Sequence, residues 1–275
     1  MENSSLNHTE NHKTEEKETK RTPIKQRKKE NEVLRFIREH IRYFAAGALV
    51  VVLILVLAMC AKPKGSDSDV VVNANATEST QATEEAYQVD AYENINTLIT
   101  QYYTAYAAGD ITTLSSIATP ISANEQSYIG LFSQYVDEYQ NIKCYTKTGL
   151  DANSYLVSVS MEIKFTGVDT TAPGLDFFYV RTNDDGTLYI DNLYSQYNLA
   201  NQENALDTSV QSLIGQFESE SDVVELQSEV QTRYDEALTA DENLANMIQT
   251  TIPAAIKDWV SQVAAQAATE QTDSH

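Results

Sequence analysis

Two hydrophobic periods and one unbroken apolar run divide this chain. The run is FAAGALVVVLILVLAMCA, from Phe44 to Ala61, without a charge or an amide. At about 18 residues an apolar stretch is long enough for a helix to cross a bilayer, and Tyr43 adds an interfacial aromatic at its start. The residues before it exceed the short basic leader of a secretory signal peptide, so a retained transmembrane helix over 43–61 is expected. In the turn before it, Val33, Leu34, Phe36, Ile37 and Ile41 alternate with Arg35, Arg38 and Arg42. That spacing gives a helix one apolar and one basic face, suited to an anionic inner leaflet.

Helical periodicity returns with Tyr92, Ile95, Leu98, Ile99, Tyr102, Tyr103 and Tyr106, and Gly109 supplies a stop. Asp110 can cap a short helix bearing Ile111, Leu114 and Ile117, which Pro120 ends. A third helix is predicted through Tyr128, Ile129, Phe132, Tyr135, Val136 and Tyr139. The period then changes to two. Tyr155, Val157, Val159, Met161, Ile163 and Phe165 alternate with Leu156, Ser158, Ser160, Glu162 and Lys164, a strand with one buried face and one largely polar face. A strand through Ile142, Cys144 and Thr146 precedes it. LDFFYVRT and TLYIDNLY follow, flanking the Asn183-Asp184-Asp185-Gly186 hairpin signal. Three helices followed by four antiparallel strands make an α+β domain over 86–198, because such a meander cannot bury its faces alone.

Beyond it, 199–275 reads as a helical region. Val223, Val224, Leu226, Val230, Tyr234 and Leu238 form one amphipathic segment; Thr239 with Glu242 spells a capping box for a second; Pro253 opens a third with Ile256, Trp259, Val260 and Val263.

Charge adds an orientation. The formal net charge is −21, yet residues 1–42 hold 11 Lys/Arg against 8 Glu, and residues 62–275 hold 8 Lys/Arg against 32 Asp/Glu. Basic residues crowd one flank of the apolar run, so 1–42 is expected to be a mostly disordered cytoplasmic tail and 62–85 an extracytoplasmic linker, rich in Ser, Thr, Asn and acids. An acidic exterior repels phosphate backbones, which argues against nucleic acid as a partner. Cys60 and Cys144 make a poor disulfide pair, and the four histidines, His8, His12, His40 and His275, lie outside the α+β region. Neither a metal site nor histidine-based catalysis is expected.

The order of elements, with YYTAYAAGDITTLSSI broken at Gly109-Asp110 and the closing hairpin DDGTLYIDNLY, resembles the nuclear transport factor 2-like superfamily, including the SnoaL-like proteins. The resemblance implies a curved sheet wrapped around the first helix as a cone, often with an apolar pocket. Enzymes of that superfamily such as ketosteroid isomerases and dehydratases need a buried carboxylate or histidine beside a tyrosine donor. Here Asp176, on the same side of its strand as Phe178 and Val180, is the best carboxylate, and Tyr103, Tyr106 and Tyr128 are the available donors. The competing reading makes Asp176 a solvated residue after the Pro173-Gly174 turn and the tyrosines ordinary core.

Topology together with the missing histidine leads to an expected role as a membrane-anchored, extracytoplasmic cell-envelope protein of a bacterium. It would bind another protein or a wall component, with no cofactor and no enzymatic activity. A scaffold subunit of a secretion or conjugation machine, and a small-molecule-binding or lyase-type cone, are the alternatives.

Overall fold

The computed structural model describes residues 85–273, with side chains through 266. The expected tail 1–42 with Arg35, Arg38 and Arg42, the spanning helix 43–61 and nearly all of the linker lie outside the described residues. Among the described residues no helix is long and apolar enough to cross a membrane.

The protein is α+β, with a mixed six-stranded sheet. After β1 (Gln88–Val89) come α1 (Glu93–Ala108), α2 (Ile111–Ile117), β2 (Ala118–Thr119) and α3 (Ala123–Phe132). The strands β3 (Val136–Thr148), β4 (Ser154–Phe165), β5 (Ala172–Thr182) and β6 (Leu188–Asp191) follow. The chain ends in α4 (Gln196–Asn201), α5 (Thr208–Phe217), α6 (Ser221–Ala240), α7 (Glu242–Asn246) and α8 (Ile252–Asp273).

The predicted punctuation operates locally. Gly109 adopts φ 62° and turns its N–H onto the carbonyls of Ala105 and Tyr106, ending α1. The Asp110 carboxylate caps α2 by accepting from Thr113 N–H, and Ser122 caps α3 by accepting from Glu125 N–H. In the sheet, β3, β4, β5 and β6 form the expected antiparallel meander, while β1 joins β3 antiparallel and β2 joins β6 in parallel, giving the order β1-β3-β4-β5-β6-β2. The two outer strands of two residues each carry too little pattern to be read from sequence.

The third helix is shorter than its periodicity suggests. It stops at Phe132, Ser133–Tyr135 form a 3-10 turn, and Val136 and Tyr139 belong to β3, paired with Phe165 and Ile163. The apolar spacing there suits either period, and ladder pairing with the strongly alternating β4 decides it.

The sheet is also covered on both faces. Val157, Val159, Met161, Ile163 and Phe165 join the core beneath α1, whereas Leu156 and Tyr179 on the other face pack with Val210, Ile214, Phe217 and Val223 from α5 and α6. Ser158 and Ser160, on the face read as largely polar, are therefore only 4% and 6% exposed, and Ser158 hydrogen-bonds the Tyr87 hydroxyl at 2.8 Å. Lys147 is buried beside them and bridges Glu220 at 2.5 Å and Asp222 at 2.6 Å, tying β3 to the start of α6.

The C-terminal helices share the main core. Leu226, Val230, Tyr234, Leu244, Ile248, Ile252, Ile256, Trp259 and Val260 all belong to it. Trp259 Nε1 donates to Ser127 Oγ at 2.9 Å, docking α8 against α3. The cap of α7 is Asp241, whose carboxylate accepts from Asn243 and Leu244 N–H. Thr239 lies within α6 and donates its hydroxyl to the Asp235 carbonyl. Asp241 prevails because a carboxylate next to the first helical residue reaches two free amides at once.

Candidate functional site

Between α1, α3 and the sheet lies a cavity of about 140 Å³. Its walls are mainly aromatic. Helix α1 presents a tyrosine face because Tyr102, Tyr103 and Tyr106 fall at i, i+1 and i+4, and all three line the cavity. Tyr128 and Phe132 reach it from α3, Tyr139 from β3 and Phe178 from β5. Tyr128 and Phe132 are stacked and the other pairs meet edge-on or tilted, with Tyr103 to Tyr139 at 4.6 Å and Tyr102 to Phe178 at 5.0 Å between centroids, separations at which aromatic pairs attract.

Strand alternation aims a carboxylate into this cage. Asp176 pairs with Val159, and Phe178 with Val157, so Asp176 shares the inward face with core residues. It lies deep in the protein yet keeps part of its surface accessible, and that surface belongs to the cavity. Its Oδ2 accepts from the Tyr103 hydroxyl at 3.3 Å and its Oδ1 from Phe177 N–H at 2.9 Å. Burial pushes the Asp176 carboxyl up to about 6, the two donors only partly offsetting it.

A second carboxylate lines the same space. Glu125, on α3, is 7% exposed, and Asn192 Nδ2 donates to both of its oxygens at 2.9 Å. Burial pushes it up to about 7; Asn192 opposes that shift and the Glu203 charge adds to it. Burial thus raises both acids toward neutral pH, and neither forms an ion pair among the described residues.

The hydroxyls of Tyr102, Tyr106, Tyr128 and Tyr139 and the side-chain amide of Gln227 also line it. None of them is among the fully buried unpaired side-chain groups of the described residues, which are Asn96 Oδ1 and Arg233 Nε. Burial raises the pKa of all four phenols, so they remain neutral donors. Lining the cavity, these groups can pair with water or with a ligand held between them. Gln227 reaches the cavity from α6 because β6 pairs only with Val180–Thr182, leaving the Asp176 stretch of β5 without a strand on that side. Side chains from both faces of β5 can then border one space.

All five residues singled out in the sequence, Tyr103, Tyr106, Tyr128, Asp176 and Phe178, line this cavity together. The sequence reading missed Tyr102, Glu125, Tyr139 and Gln227. Glu125 had a misleading signal: Ser122-Ala123-Asn124-Glu125 spells a capping box, but the carboxylate turns inward to Asn192 instead of back to the helix start. Cys144 is a free, buried thiol, pushed up to about 12 by burial and the nearby Asp90, and offers no thiolate at neutral pH.

Chemically, the arrangement can accept hydrogen bonds or positive charge at Asp176 and donate from several phenols. No protein-family model, curated protein or solved structure matches this chain.

Proposed function

We propose that the α+β region is a small-molecule-binding domain of the nuclear transport factor 2-like kind, carried on the outer side of a membrane by the apolar run 43–61. The observation that carries this reading is the set of phenols and the Gln227 amide that line, together with Asp176, one cavity of about 140 Å³. An antiparallel meander packed on a long first helix, with a cavity between them, is also what the superfamily resemblance implies.

This shifts weight from a protein or wall partner toward a ligand. The described surface exposes only Val89, Leu150 and Leu199 as large apolar side chains, far apart in sequence, which gives a protein partner little apolar area to bury. Asp176 beside Tyr103 also has the composition of a proton-transfer pair, but binding requires no step beyond the geometry described.

The test is a thermal-shift screen of the full-length chain in detergent against compounds of on the order of six heavy atoms, a size set by the cavity. Hits that raise the melting temperature of the native chain and lose their effect in Asp176→Asn support the reading. Stabilisation by no compound, or equal stabilisation of both proteins by every hit, refutes it.

A further inference from the structure

Four properties of the cavity narrow what can occupy it. The first is charge: Asp176, Glu125 and Glu218 line it, and no Lys, Arg or His does. The basic residues that pair with acids elsewhere are committed there, Lys147 to Glu220 and Asp222, Arg181 to Asp191 and Arg233 to Glu162. An anion would meet the Asp176 and Glu125 carboxylates, neither of which forms an ion pair among the described residues, and a neutral apolar molecule would offer the phenols and Gln227 no hydrogen bond.

The second is the wall. Tyr103, Tyr139, Tyr102 and Phe178 stand around Asp176 with centroid separations of 4.6 Å to 5.8 Å. Ring faces attract cations, and the attraction grows when water is excluded. The third is size. A cavity of about 140 Å³ is close to the roughly 150 Å³ that holds one benzene, so the occupant has on the order of six heavy atoms. The fourth is the field outside: residues 62–275 carry 8 Lys/Arg against 32 Asp/Glu, which concentrates cations near the domain.

Resting on the reading of the cavity as a ligand site, we propose that its occupant is a small organic cation, an amine or quaternary ammonium, seated against the Asp176 carboxylate and enclosed by the tyrosine rings. The titratable groups facing Asp176 are the phenols of Tyr102, Tyr103 and Tyr139; those facing Glu125 are Glu203 and the phenols of Tyr102, Tyr106 and Tyr197. All are neutral or negative at neutral pH, so a bound cation meets no repulsive charge among them.

Choline and its neutral isostere, in which carbon replaces the nitrogen, separate charge from shape. The full-length chain in detergent is titrated with each by calorimetry at a pH above the Asp176 transition. Choline is expected to bind about tenfold or more tightly than the isostere, as desolvated cation–aromatic and carboxylate contacts would give. Asp176→Asn should erase that preference while retaining the isostere's affinity, and Tyr139→Leu should reduce it. Equal binding of the two probes overturns the cation assignment and leaves the cavity as a ligand site. Binding of neither by a protein whose Trp259 fluorescence shows a cooperative thermal transition overturns both.

Discussion

Replacing Asp176 by Asn should stabilise the protein at alkaline pH and give no gain at acid pH. The Asp176 carboxyl stands at about 6 in the folded chain against an ordinary 3.8. Below about pH 4 the acid is protonated in both states and contributes nothing. Between about pH 4 and 6 the unfolded chain releases its proton while the folded chain holds it, so stability falls as pH rises. Above about pH 7 the loss is complete, and roughly two pKa units at 1.36 kcal/mol each make it about 3 kcal/mol. Asn has the same shape and removes the ionisation, but its single oxygen cannot accept from both Tyr103 and Phe177, which returns about 1 kcal/mol. A net gain of about 2 kcal/mol corresponds to a rise of about 4–8 °C in melting temperature for a folded region of this size. Trp259 is the only tryptophan in the chain and packs 5.6 Å from the Tyr128 ring, so its fluorescence reports the transition. Equal melting temperatures for variant and native chain at about pH 8 would refute a desolvated Asp176. A gain in the variant means the native residue is kept at the expense of stability, as binding residues often are.

Glu125→Gln should act in the same direction, since burial pushes that acid up to about 7, and a double variant with Asp176→Asn should show a flatter stability profile between about pH 4 and 8 by denaturant titration. Lys147 is 3% exposed, and its pairing with Asp222 and Glu220 outweighs the burial that would neutralise it. Lys147→Ala should cost about 3 kcal/mol in urea unfolding, the low end for a broken buried pair because both carboxylates retain water access. Trp259→Ala should cost about 3–5 kcal/mol and Trp259→Phe about 1–2, a contrast measurable by circular dichroism that tests whether α8 is part of the folding unit.

What the sequence revealed depended on whether one local signal decided each feature. Gly109 and Asp110 mark a helix end and a cap by backbone chemistry alone, and the Gly186 hairpin does the same with φ 86°. Asp176 was legible because strand alternation places it with Phe178 and Val180 whatever covers the sheet. Tyr139 was recognised as apolar but assigned to the wrong element, since the 132–139 spacing suits a helix until β4 pairs with it. Ser158 and Ser160 carry no sign of burial; only the later arrival of α5 and α6 excludes water from them. Glu125 and Gln227 acquire their roles purely from tertiary placement, one from α3 and one from α6, and neither contact leaves a periodic trace.

The most direct test of the account is a high-resolution crystal structure of the chain with attention to the space enclosed by Tyr102, Tyr103, Tyr106, Tyr128, Tyr139 and Asp176. The account predicts an open cavity of about 140 Å³, with ordered water or a bound molecule hydrogen-bonded to Asp176 and to the phenol hydroxyls. A closed core, in which those hydroxyls bond to protein groups and no solvent or ligand density remains, would contradict it.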